Sequence, residues 1–116
     1  MKHFMKIKST VAYLFALFSF TLSGLTAGAQ EKLNVAVAGL DHDHVFLIMN
    51  SYQKKEVNII GIAEANPELV ERFKKRFSLP DNIFYQDIKT LLKSKKPDVV
   101  LAYNSIFDHL AVVEAA

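Results

Sequence analysis

The chain has 116 residues, with 14 Lys and Arg against 12 Asp and Glu, and it contains no Cys and no Trp. This length allows one ordinary domain, and a hydrophobic fraction of 51% excludes a disordered chain. The lack of cysteine excludes a disulfide framework and a thiolate metal site. Three lysines precede a long apolar run, so the rest of the chain is nearly neutral and offers no electrostatic case for binding nucleic acid.

The N-terminal 29 residues have the pattern of a secretory signal. Three lysines precede an uncharged stretch over residues 9–30 whose middle is apolar, and Ala27-Gly28-Ala29 has the small residues of a cleavage site. Residues 1–29 are therefore predicted to be a signal peptide, and the protein is predicted to be exported, either periplasmic or secreted. The alternative is that the segment remains uncleaved and anchors the chain in the membrane.

Residues 30–116 alternate between strand and helix patterns. Because this alternation has no hairpin signal, the strands are expected to pair in parallel, with helices on both faces of the sheet. The predicted fold class is α/β: a partial Rossmann-type doubly wound parallel sheet of strand order 3-2-1-4, with the C-terminal strands and a substrate domain absent. The strands are predicted at residues 33–38, 57–63, 82–85 and 98–102, and the helices at 44–53, from 67 to 77, from 88 to the break at 94–97, and at 107–116.

Capping residues mark three helix starts. Asp41 or Asp43 is a plausible N-cap of the first helix. Asn66, followed by Pro67, is typical of the start of the second helix, and Asp87 is predicted to cap the third.

A ligand is expected where the strand order reverses, at the carboxyl ends of the first and fourth strands. Residues 39–44 follow the first strand, and free backbone N–H groups there could hold a pyrophosphate. Only Gly39 of a G-x-G-x-x-G fingerprint is present, since Asp41 and His44 replace the second and third glycines. Two carboxylates near a diphosphate are unfavourable unless they point away or cap the helix, and protonated His42 or His44 could offset them only at low pH.

Polar residues also follow the second and fourth strands. Glu64 could accept both ribose hydroxyls of an adenosine and would repel a 2′-phosphate, which predicts NAD rather than NADP; the alternative is an exposed loop glutamate. Asn104 could bond a phosphate or ribose, and His109 could lie beside the ligand or be a simple surface imidazole. The His and Asp residues at 41–44 could also suit zinc or manganese, but no third ligand is fixed by spacing, so no metal site is predicted.

These residues resemble the N-terminal domain of the Gfo/Idh/MocA oxidoreductases, named for glucose-fructose oxidoreductase and inositol dehydrogenase. The resemblance covers residues 33–116 and is carried by segments 35–40, 60–68, 96–100 and 104–116. It implies a turn role for Gly39, ribose binding by Glu64, and positions beside the cofactor for Asn104 and His109. Leu40 and His42, in the same histidine-bearing loop as Gly39, complete the predicted cofactor-binding set. No catalytic residue is assigned.

Two departures from the family pattern bear on function. Ser105 stands where the family usually has proline. In the family, a Glu-Lys-Pro motif whose lysine is the usual acid/base group follows shortly after the point where this chain stops, and a substrate-binding domain comes after it. The chain is therefore expected to be inactive alone, with strand 4 left as an unpaired apolar edge.

The resemblance implies the cofactor-binding portion of an exported NAD(P)-dependent oxidoreductase acting on sugars or polyols. The expected partners are a dinucleotide and, in the full-length parent, a sugar or polyol substrate; a homo-oligomer is compatible with the sequence, and membrane contact is expected only through an uncleaved signal. Two alternatives stay open. One is an envelope binding or interaction module of the same fold without redox turnover, and the other is a fragment of an NAD-using glycoside hydrolase.

Overall fold

The computed structural model describes residues 28–116, within which Glu31–Ala116 form a compact unit. Residues 1–27 of the signal peptide that is predicted over residues 1–29 lie outside the described residues. Among residues 28–116, no helix combines the length and apolar character needed to cross a membrane.

Four parallel strands form one sheet in the order β3-β2-β1-β4. The strands are β1 (Asn34–Ala38), β2 (Asn58–Ala63), β3 (Phe84–Tyr85) and β4 (Val99–Ala102). The central strand β1 pairs with both β2 and β4, and β2 pairs with β3. This confirms the predicted α/β class, the parallel pairing and the strand order 3-2-1-4.

Helices cover both faces of this sheet. The helices are α1 (Val45–Gln53), α2 (Pro67–Phe77), α3 (Ile88–Ser94) and α4 (His109–Ala115). Successive side chains of a strand point to opposite faces, and accordingly Val35 and Val37 of β1 pack into one buried cluster with α1 and α2. Ala36 and Ala38 pack into a second cluster with α3 and α4. The continuous apolar character of β1 follows from this burial on both sides.

Small residues on the second face let α3 lie close to the sheet. A Cβ built on Gly61 of β2 would lie 2.8 Å from Cγ of Leu91, which is fully buried. A larger residue at position 61 would therefore displace α3 or the Leu91 side chain.

Two of the three predicted helix caps are confirmed. The Asn66 side chain accepts a hydrogen bond from the Glu68 N–H at 3.0 Å, and Asp87 accepts one from the Thr90 N–H at 2.8 Å. The prediction for the first helix is wrong, because His44 occupies the N-cap position and neither Asp41 nor Asp43 caps.

The start of α1 needs no side-chain cap because the turn before it supplies acceptors. The N–H groups of Val45, Phe46 and Leu47 donate to the carbonyl groups of residues 42, 43 and 44, at 3.0 to 3.1 Å. Bonds of this i to i+3 type satisfy donors that a cap would otherwise have to serve.

Two predicted element boundaries are also wrong. Residues 82–83 belong to a 3₁₀ turn, Asp81–Ile83, so β3 has only two residues. Residues 107–108 belong to a second 3₁₀ turn, Ile106–Asp108. In each case a contact with the turn's aspartate offers a reason: Lys74 forms a salt bridge to Asp81 at 2.9 Å, and the Ser105 hydroxyl donates to Asp108 at 2.6 Å.

The cap of α3 predicts a pH-dependent stability. The Thr90 N–H, and after it the Thr90 hydroxyl, lowers the pKa of Asp87 below its ordinary value of 3.8. A carboxyl whose pKa is lower in the folded than in the unfolded state stabilises fully above the unfolded value, and that stabilisation is lost as the pH falls through the folded value. We expect Asp87→Ala to destabilise the protein at neutral pH and to lose most of that effect in acid.

Urea unfolding followed by circular dichroism across an acid titration measures this effect. Asp43→Ala is the matched control, since Asp43 is exposed and caps no helix. If the loss in free energy of unfolding caused by Asp87→Ala stays constant from neutral pH into acid, Asp87 is not the ionised cap of α3.

Candidate functional site

The carboxyl ends of three strands meet at one edge of the sheet. In the strand register, Ala38 of β1 is paired with Ala63 of β2 and with Ala102 of β4. The chain leaves β1 toward β2 on one side and returns to β4 on the other, so the strand order reverses here, and α/β sheets bind ligands at such a point. The structure brings three of the predicted site residues to this edge: Gly39, Glu64 and Asn104.

Gly39 makes the turn at the end of β1. Its φ is +84°, and its N–H donates to the carbonyl of Ala63 at 2.8 Å. A Cβ built on Gly39 would lie 2.6 Å from Cβ of Asn104 and 2.7 Å from its backbone nitrogen. Glycine is therefore required twice, by the left-handed backbone and by the close approach of the loop after β4.

The Glu64 carboxylate is half-buried and bonds two backbone groups from different segments. One oxygen, Oε2, accepts from the Leu40 N–H at 2.9 Å, and the other, Oε1, accepts from the Asn66 N–H at 2.8 Å. Glu64 thereby ties the turn after β1 to the start of α2. Periodicity could not reveal this role, although the position of an acid directly after a buried strand marked the residue.

The turn after β1 has few free donors. The His42 N–H donates to the Tyr103 carbonyl at 3.0 Å, and the His44 N–H donates to Nδ1 of His42 at 3.3 Å. Over residues 39–47, only the N–H groups of Asp41 and Asp43 have no acceptor within residues 28–116. The expectation of a loop of free N–H groups is therefore wrong for most of the segment, because the rest of the chain already uses those donors.

Leu40 contributes to this site only through its backbone. Its side chain is 2% exposed and packs in the first core cluster, and its N–H is bonded to Glu64. As predicted, Leu40 adjoins the turn, but its side chain is part of the core and is not available to a ligand.

A cleft of about 320 Å³ opens over the strand ends, between the turn after β1 and the start of α4. Four carboxylates line it, together with neutral residues, and no Lys or Arg does. The four are Asp41, Glu64, Asp87 and Asp108. The cleft is therefore electronegative, and it suits a neutral, hydroxyl-bearing or cationic group better than a phosphate.

Asn104 lies between this cleft and a second pocket and lines both of them. Its side-chain oxygen Oδ1 is buried and has no hydrogen-bond partner within residues 28–116. Buried polar atoms are nearly always bonded, so an orphaned acceptor at a cleft is consistent with a donor supplied by a ligand. The loop that carries Asn104 is closed by Ser105, whose hydroxyl and carbonyl both bond Asp108.

The second pocket has a volume of about 170 Å³ and is lined by histidines from two distant segments. His42 and His44 come from the turn after β1, and His109 comes from the start of α4. The rings of His42 and His44 lie 4.6 Å apart, centroid to centroid. Tyr103 completes the wall, and partial burial raises the pKa of its hydroxyl, which therefore stays protonated at neutral pH.

The histidines and aspartates of the turn do not assemble a metal centre. Within residues 28–116, no group of three or more His, Asp or Glu side chains is arranged to hold an ion.

No protein-family model, curated protein or solved structure matches this chain. A functional proposal for this chain therefore rests on its fold and on the arrangement of side chains at the strand ends.

Proposed function

We propose that residues 30–116 form the nucleotide-cofactor-binding portion of an exported NAD(P)-dependent oxidoreductase of the Gfo/Idh/MocA type, acting on sugars or polyols. The observation that carries the proposal is the junction of Gly39 and Asn104 beside the Glu64 carboxylate, at the edge where the order of the parallel strands reverses. In this proposal the sheet is a partial Rossmann-type sheet, and the remaining strands and substrate domain belong to a longer parent protein.

Glu64 supports the ribose part of this proposal. An ionised carboxylate offers about four lone-pair sites, and the N–H groups of Leu40 and Asn66 use one on each oxygen. One site on each oxygen is left to accept a hydroxyl of an adenosine ribose. The same charge would repel a 2′-phosphate, which favours NAD over NADP.

The orphaned oxygen of Asn104 supports the same location. A ribose hydroxyl or an amide group of the ligand would supply the missing donor to Oδ1. NAD, when bound, supplies the hydride-accepting chemistry, and this chain's residues bind and orient it. No residue of the chain is assigned to proton transfer.

A second function is favoured by a different observation. Most N–H groups of the turn after β1 already donate hydrogen bonds within the chain, and the cleft is lined by four carboxylates and by no Lys or Arg. Both features disfavour a diphosphate and favour an envelope binding module for a neutral, hydroxyl-rich ligand. The NAD-using glycoside hydrolase is a variant of the oxidoreductase proposal and would share its cofactor site.

Calorimetric titration of the purified chain with NAD and with NADP tests the proposal. We expect saturable binding of NAD and binding of NADP that is weaker by at least about tenfold, since a phosphate dianion would lie beside a carboxylate. Glu64→Gln removes that charge and keeps one acceptor oxygen. It is therefore expected to reduce the difference in affinity between NAD and NADP.

Glu114→Gln is the matched control, because the Glu114 side chain is exposed on α4 and makes no hydrogen bond or salt bridge to other side chains within residues 28–116. Folded protein that gives no heat with either nucleotide would overturn the cofactor proposal. Mass spectrometry of protein taken from its native envelope separates the two functions, since retained NAD indicates the enzyme and its absence indicates the binding module.

A further inference from the structure

Three of the four histidines of the chain line one small pocket. His42 and His44 are brought there by the turn after β1, and His109 is brought by α4, more than 60 residues away along the chain. Two segments bonded to each other hold this arrangement, because the His42 N–H donates to the Tyr103 carbonyl at 3.0 Å. The pocket is thus built by the fold and does not depend on one flexible loop.

The lining offers hydrogen-bond donors. Nδ1 of His42 accepts from the His44 N–H, so a neutral His42 ring carries its proton on Nε2, where it can donate. Histidine is the side chain that acquires positive charge between pH 8 and 5, and charged imidazoles donate from both nitrogens.

The charges around the pocket differ from those of the neighbouring cleft. The titratable groups that line the pocket are His42, His44, Tyr103 and His109, and no carboxylate is among them. The nearest acids along the chain are Asp41 and Asp108, which line the neighbouring cleft, and Asp43, which is exposed. Asn104 separates the two spaces. One side of Asn104 therefore suits hydroxyl groups, and the other suits an anion.

We propose that the pocket formed by His42, His44 and His109 binds the oxyanion group of a small ligand, a carboxylate or a phosphate. Its volume of about 170 Å³ is sufficient for one such group. In the proposed binding module, whose ligand would place its hydroxyl groups in the neighbouring cleft, this site would select a ligand that also carries an acid group, such as a sugar acid or a sugar phosphate. The oxyanion site itself does not require a nucleotide.

The test uses the full chain without nucleotide and follows the imidazole resonances by NMR during titration with gluconate, inorganic phosphate or glucose. We expect gluconate, phosphate or both to shift the resonances of His109 and His44, and to bind more tightly at pH 6 than at pH 8. His109→Gln should weaken binding by at least about tenfold, the lower end of what one hydrogen bond to a charged group contributes. Lys93→Gln, which removes an exposed charge on α3, should leave binding unchanged.

The arms of the titration distinguish the source of the anion. A response to gluconate alone indicates that the pocket binds the carboxylate of its ligand. A response to phosphate alone indicates that it binds a phosphate group. The proposal is overturned if neither anion shifts the resonances, if glucose shifts them equally, or if the affinity of folded His109→Gln and of folded His44→Gln equals that of the unsubstituted chain. Because no nucleotide is present, failure of the NAD titration leaves these outcomes unaffected.

Discussion

Replacing Gly39 with alanine is expected to lower the free energy of unfolding by about 3 kcal/mol. The backbone there has a φ of +84°, and a side chain in the left-handed region costs roughly 1–2 kcal/mol. The new Cβ would also lie 2.6 to 2.8 Å from Cβ, Cα and backbone N of Asn104. Forcing atoms into a packed site costs typically a further ~1–3 kcal/mol, and the loop after β4 would have to move as a unit.

Gly61→Ala is the matched control for this effect. Gly61 has no positive φ, and its added Cβ would meet the side chain of Leu91, which can rotate or shift. We expect a smaller loss of about 1 to 2 kcal/mol for that variant. Urea unfolding followed by far-ultraviolet circular dichroism compares the two, and equal losses at both positions would contradict the role assigned to the Gly39 backbone.

This stability role limits what a substitution at Gly39 can reveal about ligands. A bulky residue there would displace Asn104 and unfold the turn, so any loss of cofactor binding would reflect the loss of structure. Substitutions at Glu64 and at the histidines change chemistry at the strand ends with less disturbance of the backbone.

The sequence was sufficient to predict the sheet because the relevant signals are local and strong. The apolar runs ending at Ala38, Ala63 and Ala102 are continuous, as strands buried on both faces must be. The alternation with helices then leaves parallel pairing as the only arrangement with short right-handed crossovers. Asn66 and Asp87 were predictable as caps because a cap bonds an N–H only two or three residues away.

The site was predictable in its location but not in its bonding. Convergence of Gly39, Glu64 and Asn104 follows from the strand order alone. The bond from Leu40 to Glu64 joins residues 24 apart and depends on how closely β1 and β2 end together. The bond from the His42 N–H to Tyr103 spans a still longer separation. Because such bonds arise from tertiary packing, no periodicity in the sequence could have shown that the donors of the turn are already occupied.

The position of Glu64 links the fold to the proposed ligand. Its carboxylate holds together the turn after β1 and the start of α2, and the residue lines the cleft that is proposed to receive a ribose. A carboxylate held by two N–H groups from different segments has little freedom to rotate, so its remaining lone pairs are fixed in direction before a ligand arrives. Rigid acceptors of this kind reduce the entropy lost on binding.

Replacing Glu64 with alanine is expected to lower the free energy of unfolding by about 2 kcal/mol. The variant leaves the N–H of buried Leu40 without its acceptor, and a hydrogen bond to a charged group typically contributes about 1.5–3 kcal/mol. The N–H of Asn66 is in an exposed segment, so water can replace the lost bond there at little cost. Glu64→Gln should lose about half as much, because its amide keeps one acceptor oxygen and its NH₂ group cannot accept from the second donor.

Urea unfolding of the two variants beside Glu114→Ala measures this cost. Glu114 is exposed, and substitution of such a surface residue is expected to change stability by less than about 0.5 kcal/mol. Hydrogen exchange provides a second readout, since the Leu40 amide should exchange faster in Glu64→Ala while amides in the middle of β1 keep their relative protection. If the Leu40 amide exchanges at the same rate in Glu64→Ala as in the unsubstituted protein, the carboxylate is not its partner. The rigidity proposed for the ribose acceptor then loses its basis.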